Sequence, residues 1–269
     1  MKYCEEPISL LLHNDGSLDN SDKDLIETTL SNQISFADPK ETEVQTMDRL
    51  KGLPNCQSFR KKSLWGIEFF DPLFIDPTNP ISFYIDADIL FLRPFSGLFD
   101  STKIQGGALF LQDTQWDAYC LRPRHLLGFG RRPIIVQGIT TAIVCWDKRV
   151  IDWEYLEWFL GQFKFHSIPE WVMPTAQAGL ASLCQSKVVS PTQLRNLYPN
   201  ASIENETFGV HLLGSYREEW LPKIDAYSEK ITEPPLTIQA QFQPCLPRGV
   251  FAYATNLAKR WINTRHNRW

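Results

Sequence analysis

The first third of the chain alternates short apolar runs with amphipathic segments. The apolar runs at 8–12, 33–37 and 81–85 have the length of buried strands. Between them, 21–31 and 58–70 carry apolar residues at near-helical spacing. This alternation predicts an α/β fold with a mostly parallel sheet flanked by helices. Ligands of such sheets bind beyond the carboxyl ends of the strands, so we expect the functional residues there.

The rest of the chain continues the same mixture less regularly. Three strands and two amphipathic helices are predicted, at 106–112, 134–146, 208–214, 151–163 and 174–184. From residue 233 onward the sequence is rich in proline, which is typical of a connecting arm. We therefore predict one α/β domain over 1–232, followed by a C-terminal arm and helix over 233–269.

Asp86 and Asp88 stand directly after the strand at 81–85. Residues i and i+2 of a β-strand point to the same face, so we expect the two carboxylates to project side by side. Adjacent carboxylates repel each other unless a positive charge lies between them, and a hard divalent cation is the natural occupant. The alternative is a strand-end pair that accepts hydrogen bonds from backbone N–H groups. The first interpretation predicts a metal site with open positions for a phosphate-bearing ligand.

The composition excludes several classes of function. Hydrophobic residues make up 43% of the chain, enough for a sizeable core, and a net charge of -4 gives no support for nucleic-acid binding. The cysteines form no CxxC pair, which argues against a zinc site and favours a reducing, cytoplasmic location. No uncharged apolar run approaches the ~20 residues that span a bilayer.

A second motif, His211-Leu-Leu-Gly-Ser-Tyr-Arg217, lies far downstream of the aspartate pair. Asp86-Ala87-Asp88 resembles the DxD motif of nucleotide-sugar glycosyltransferases of the GT-A fold. The downstream segment resembles the HxxGxxK signature of the glycogenin and bacterial galactosyltransferase group. This resemblance implies a GT-A-like, Rossmann-type fold over residues 8 to 220.

The resemblance also implies a role for each residue of the two motifs. Asp86 and Asp88 would be catalytic metal ligands, with His211 as the third ligand. Gly214 would let the backbone approach a diphosphate, and Arg217 would bind phosphate. Arg217 departs from the lysine of the family pattern, but its guanidinium keeps the charge and binds phosphate oxygens in a fork. Two carboxylates and one imidazole suit Mn²⁺ somewhat better than Mg²⁺.

Three further positions match the family more loosely. Gln137 and Gly138 precede an apolar strand, where the family often has a turn that touches the donor sugar. Gln177 lies where the family presents an Asp-Gln pair to donor or acceptor, and we predict it as a third catalytic residue. For Gln137 and Gly138 the alternative is an ordinary turn.

Charged residues elsewhere are candidates for ligand contacts. Lys61 and Lys62 lie on the helix before the aspartate pair, where related enzymes often place a basic residue near the diphosphate; the alternative is a solvated helix face. Asp15, in His-Asn-Asp-Gly-Ser, is predicted either to contact the nucleotide or to form an ordinary turn. Asp113 and Asp117 are candidates for acceptor contact.

The C-terminal segment 256–269 interleaves basic residues with tryptophans. Such a pattern suits the interface of an anionic membrane, so we predict peripheral membrane contact. The alternative is a terminal helix docked by its aromatic side chains, with a solvated basic side.

The predicted first strand begins very near the start of the sequence and already ends in Asp-Gly-Ser. GT-A domains resembling this one usually have a further strand and helix before that turn. We therefore expect the first βα unit to be missing, with incomplete binding of the base. The alternative is a chain that begins late relative to a full-length enzyme.

Together the motifs predict a metal-dependent glycosyltransferase. It would move a sugar from a nucleotide-diphosphate-sugar donor to a glycan, lipid or protein acceptor, and the resemblance implies retention of anomeric configuration. Two alternatives stay open. One is a GT-A-like domain that binds a sugar nucleotide without turnover. The other is a phosphohydrolase of the haloacid dehalogenase type, which also uses Asp-X-Asp after an apolar strand but has threonine or valine where Leu90 stands here.

Overall fold

The computed structural model of the chain describes residues 3–14, 18–30, 34–114, 119–120, 135–162, 169–229, 236–248 and 255. These residues form an α/β structure with mixed sheets. The α-helices of the described part are α1 (Asn20–Leu30), α2 (Pro39–Arg49), α3 (Pro54–Lys62), α4 (Leu64–Phe74), α5 (Trp153–Leu160), α6 (Pro169–Ala181) and α7 (Arg217–Glu229). The strands are β1 (Leu10–His13), β2 (Ile34–Ala37), β3 (Ile81–Ile85), β4 (Ile89–Phe91), β5 (Phe95–Ser96), β6 (Gly107–Gln112), β7 (Ile135–Val136), β8 (Ile139–Asp147), β9 (Gln185–Val189), β10 (Leu194–Asn196), β11 (Gly209–His211), β12 (Ile238–Gln239), β13 (Phe242–Pro244) and β14 (Pro247–Arg248).

The largest sheet has five strands in the order β13-β9-β6-β8-β3. β6 and β9 pair in parallel, whereas β8 is antiparallel to both β3 and β6, and β13 is antiparallel to β9. The sheet is therefore mixed, and the prediction of a mostly parallel sheet is wrong. The connection from β3 to β6, residues 86–106, contains β4 and β5 but no α-helix, so the βαβ alternation of the first third does not continue.

The strands and helix predicted near the start of the chain are confirmed as β1, α1 and β2. β1 and β2 pair in parallel and form a two-stranded sheet of their own. A buried ion cluster fastens the end of β1 to the helices. The fully buried Asp71 accepts hydrogen bonds from Arg60 at 2.7 and 3.0 Å, and its carboxylate lies 3.0 Å from Nε2 of His13.

The single helix predicted over 58–70 is instead the end of α3 and most of α4. Ser63 separates them in an extended conformation, and its hydroxyl accepts a hydrogen bond from the N–H of Trp65 at the start of α4. The two helices then pack very closely, because a Cβ at Gly66 would lie 2.2 Å from the backbone oxygen of Phe59. The apolar spacing runs through both helices without a visible break, because one residue separates α3 from α4. The two later helices are confirmed as α5 and α6, with α6 beginning at Pro169.

The five-stranded sheet carries apolar side chains on both faces. Along β6, Ala108 and Phe110 join the core cluster that includes residues of α3 to α6. Leu109 and Leu111 join a second cluster, with Phe95 of β5. Alternate residues of a strand point to opposite faces, so this division buries both sides of the sheet. A third cluster packs α7 against the three-stranded sheet β10-β11-β4.

The proline-rich segment near the end of the chain supplies three short strands. β12 pairs with β5, β13 with β9 and β14 with β7. The described residues 236–248 are therefore built into the same sheets as the preceding domain. The division of the chain at residues 232 and 233 stays a prediction.

Asp147, the last residue of β8, accepts several hydrogen bonds. Its buried carboxylate accepts from the backbone N–H of Gly106 at 2.8 Å and from the guanidinium of Arg149 at 2.8 Å on each oxygen. These bonds, above all those from Arg149, lower the pKa of Asp147 to about 2. The carboxylate thus joins the end of β8 to the turn before β6.

We predict that Asp147→Asn lowers the free energy of unfolding at pH 7 by about 1–3 kcal/mol, because the buried side chain loses its charge-assisted hydrogen bonds with Arg149. The folded-state pKa lies below the ordinary value, so the stabilisation is fully present above about pH 4 and is lost as the pH falls towards 2. Urea unfolding across this range should show wild type and variant converging at low pH. Asp100→Asn, at a more exposed three-residue turn, is the control with the smaller expected effect. A stability difference between wild type and Asp147→Asn that stays constant from pH 7 to pH 3 would contradict this account.

Candidate metal site

Asp86 and Asp88 lie in the turn between β3 and β4. β3 belongs to the five-stranded sheet and β4 to the three-stranded one, so the chain changes sheet at this turn. The backbone N–H of Asp86 donates to the carbonyl of Ala142 at 2.9 Å, and the carbonyl of Asp88 accepts from Leu212 at 3.0 Å. The aspartates therefore lie in a turn, and the strand geometry expected to place their carboxylates side by side does not apply to them. Backbone hydrogen bonds to β8 and to the residue after β11 fix the turn that carries them.

His211 ends β11 and lies beside the aspartate turn. β11 pairs antiparallel with β4, with His211 opposite Ile89. This register brings Nε2 of His211 to 3.2 Å from Oδ1 of Asp88. The candidate ligand atoms of Asp86, Asp88 and His211 all lie within 4.8 Å of one another. This group could hold a metal ion, as the two motifs predict.

The two carboxylates differ in their electrostatic surroundings. Burial raises the pKa of Asp86, and a hydrogen bond with Tyr84 offsets only part of that effect. Burial also acts to raise the pKa of Asp88, but His211, when its ring is protonated, and Arg217 outweigh it, and the pKa of Asp88 is lowered. Of these two aspartates, Asp86 is therefore the one whose negative charge the surrounding protein stabilises less.

One atom of Asp88 lacks a normal hydrogen bond. Its Oδ1 is buried and accepts none from the described residues, although Nε2 of His211 is close. A buried carboxylate oxygen in that situation is costly unless a cation or a donor satisfies it. Two carboxylates and one imidazole also form a ligand set suited to a divalent cation such as Mn²⁺. The residues present therefore fit a metal ion.

Arg217 donates a hydrogen bond to the other carboxylate oxygen of Asp88. Its Nη2 donates to Oδ2 at 2.7 Å, and the side chain is 47% exposed. Arg217 is the first residue of α7, directly after the turn Gly214–Tyr216. A Cβ at Gly214 would meet no atom within 4 Å, so packing does not require glycine there. The predicted phosphate-binding residue therefore borders the metal group and remains accessible to a ligand.

The other predicted site residues are not part of this group. Gln177 is buried and its Oε1 accepts a hydrogen bond from Nε1 of Trp146 at 2.6 Å, so its amide takes part in the core. Lys61 and Lys62 are exposed at the end of α3. Asp15 and Asp117 lie outside the described residues. Direct roles in catalysis or binding stay predictions for all of these positions.

The turn at Gln137 and Gly138 lies at the edge of the large sheet. Gly138 has a φ of 49°, and its carbonyl accepts from the N–H of Asp113 at 2.7 Å. Asp113 also accepts from the hydroxyl of Tyr198 at 3.0 and 2.9 Å. Because Asp113 follows β6 and Asp86 follows β3, which run in the same direction, these residues face the same edge of the sheet.

Neither a protein-family model nor a curated protein sequence matches this chain. Among the described residues, no helix is long and apolar enough to cross a membrane. The basic, tryptophan-containing segment 256–269 lies outside the described residues, and its membrane contact stays a prediction.

We predict opposite effects of Asp86→Asn on stability and on metal binding. Because the raised pKa shows that the charged carboxylate is disfavoured in the folded protein, the neutral amide should stabilise the metal-free fold at pH 7. The same change removes a ligand, so Mn²⁺ affinity should fall at least about 100-fold, beyond the loss typical of an outer-shell residue. Urea unfolding and calorimetric Mn²⁺ titration measure the two effects.

Asp113→Asn is the matched control, because it neutralises an aspartate at the same sheet edge outside the metal group. It should leave Mn²⁺ affinity unchanged. Wild-type Mn²⁺ affinity in Asp86→Asn would contradict the ligand assignment.

Proposed function

We propose that this protein is a metal-dependent glycosyltransferase with a GT-A-like fold, which transfers a sugar from a nucleotide-diphosphate-sugar donor to an acceptor. The observation that carries the proposal is the convergence of two distant motifs. Asp86 and Asp88 come from the β3–β4 turn, His211 comes from the end of β11, and their ligand atoms form one group. Arg217, from the same downstream motif, lies directly beside them.

The charges at this site suit a diphosphate leaving group. Glycosyl transfer breaks the bond between the anomeric carbon and a phosphate oxygen, so negative charge develops on the departing diphosphate. A divalent cation held by Asp86, Asp88 and His211 would supply Lewis-acid stabilisation of that charge. Arg217 would add two parallel N–H donors, a geometry that matches phosphate oxygens. A bound cation and Arg217 would then both act on the diphosphate.

Arg217 has two partners in this proposal. In the structure, its guanidinium neutralises Oδ2 of Asp88. A cation on Asp88 would take over that neutralising role and weaken the attraction of Arg217 for the carboxylate. The exposed side chain would then be available to the diphosphate. Metal and diphosphate binding would therefore support each other.

A binding domain without turnover is the second candidate. The specific observation in its favour is the position of Gln177, whose amide oxygen accepts from Trp146 in the core. Of the three predicted catalytic residues, only Asp86 and Asp88 then belong to the metal group, and Gln177 does not. Such a domain would bind the donor with the same metal and arginine.

Donor turnover tests the enzymatic proposal. With Mn²⁺ and a panel of nucleotide-diphosphate sugars, wild type should release nucleoside diphosphate. Asp88→Ala should release it at least about 100-fold more slowly, as expected when a charge-stabilising group is removed. Equal rates in both proteins would refute the assigned site. Donor binding without release across a broad acceptor panel would support the binding domain, and phosphate release from simple phosphate esters would favour a phosphohydrolase.

We predict that Arg217→Gln separates metal binding from diphosphate binding. With saturating Mn²⁺, affinity for a nucleoside diphosphate should fall about 10- to 100-fold, the equivalent of one lost charge-assisted interaction. Affinity for Mn²⁺ alone should stay constant or rise, because Asp88 loses a competing cation. Calorimetric titrations measure both.

Lys223→Gln is the control, because Lys223 lies further along the same helix and pairs with Glu219 at 2.7 Å. It should change neither affinity. Equal diphosphate affinity in wild type and Arg217→Gln would contradict a phosphate contact by Arg217.

A further inference from the structure

Asn196 lies behind His211, on the side away from the aspartates. β10 and β11 pair in parallel, with Asn196 directly opposite His211. The exposed fractions of the two residues are only 6% and 8%. Oδ1 of Asn196 lies 2.7 Å from Nδ1 of His211. No sequence motif marks this asparagine, because its relation to His211 arises from the register of two short strands.

This contact determines which nitrogen of the imidazole carries the proton. In the placed orientation of the amide, Oδ1 of Asn196 faces Nδ1 of His211, and because a carbonyl oxygen only accepts hydrogen bonds, Nδ1 is the donor. In the neutral ring, Nε2 then presents its lone pair, and it lies 3.2 Å from Oδ1 of Asp88. Oδ1 itself is buried and accepts no hydrogen bond from the described residues. In that tautomer two atoms with lone pairs lie 3.2 Å apart, which is unfavourable unless a cation binds them.

The amide of Asn196 is not explained by fold stability. Its Nδ2 is buried and has no hydrogen-bond partner among the described residues. A buried donor without a partner is unfavourable for folding, and an apolar side chain of the same size would avoid it. The useful part of the side chain is therefore Oδ1, whose partner is His211.

We propose that Asn196 is a positioning residue for metal binding, which orients His211 and holds it in the Nδ1–H tautomer so that Nε2 is the ligand atom. This inference rests on the proposed function, since it concerns the same metal site. Metal-ligating histidines commonly donate their other N–H to a protein oxygen, and loss of that partner typically lowers metal affinity 10- to 100-fold. Asn196 supplies such a partner from a neighbouring strand.

Two substitutions separate acceptor chemistry from packing. Asn196→Leu keeps a similar volume and removes the acceptor. Asn196→Asp keeps an acceptor and cannot donate, so it preserves the proposed contact. Gln193→Leu is the matched control, because Gln193 is equally buried just before β10 and its amide bonds the backbone of Gln239 and Gln241 instead.

Mn²⁺ affinity, measured by electron paramagnetic resonance on the intact chain, is the first readout. We expect Asn196→Leu to bind Mn²⁺ about 10- to 100-fold more weakly than wild type. Asn196→Asp should bind at least as tightly as wild type, and Gln193→Leu should equal wild type even where it lowers stability. An Asn196→Leu protein with wild-type affinity, or a folded Asn196→Asp protein with tenfold weaker affinity, would overturn the inference.

The tautomer of His211 is a second readout that needs no metal. Nitrogen-15 NMR of the metal-free protein at alkaline pH should place the proton on Nδ1 in wild type and on Nε2 in Asn196→Leu. A proton on Nε2 in wild type would overturn the inference even if Mn²⁺ binds. If wild type has the proton on Nδ1 but binds no Mn²⁺, the proposed metal-dependent function is refuted. The role of Asn196 in positioning His211 for metal is then refuted as well.

Discussion

The burial of Asp86 beside a second carboxylate is the constraint on which the site depends. Asp86 and Asp88 are held in one turn, and the backbone of that turn is hydrogen-bonded to β8 on one side and to the segment after β11 on the other. The backbone of the two residues cannot move apart without breaking these bonds. The protein supplies only part of the positive charge needed, through Arg217 on one oxygen of Asp88. Burial of the Asp86 carboxylate, which raises its pKa, is the remaining cost, and a bound cation would offset it.

The rest of the fold holds this arrangement in place. Apolar side chains on both faces of the five-stranded sheet fix β3, and a separate apolar cluster holds α7 against the sheet of β4 and β11. The aspartates and His211 therefore come from two differently packed sheets that meet at one turn. Unfavourable electrostatics of this kind are tolerated at functional sites, because well-packed surroundings determine the positions of the charged groups.

The sequence allowed prediction of the local elements and of the two motifs. Short apolar runs marked β1, β2 and β3, and the two motifs pointed to Asp86, Asp88 and His211 as one group. The direction of β8 was not predictable, because strand pairing depends on contacts between distant residues rather than on local spacing. The break between α3 and α4 had a local signal in Ser63, a residue favoured at helix starts. Gln177 matched a pattern by its place on a helix, but its hydrogen bond to Trp146 follows from tertiary packing. Asn196 became visible only through the register of β10 and β11.

The central claim is that Asp86, Asp88 and His211 bind one divalent cation. The most direct measurement is electron spin echo envelope modulation of Mn²⁺ bound to the wild-type protein, which detects a directly coordinated nitrogen. Our account predicts modulation from one imidazole nitrogen in wild type and its loss in His211→Leu. Bound Mn²⁺ without nitrogen modulation in wild type, or modulation that persists in His211→Leu, would contradict it.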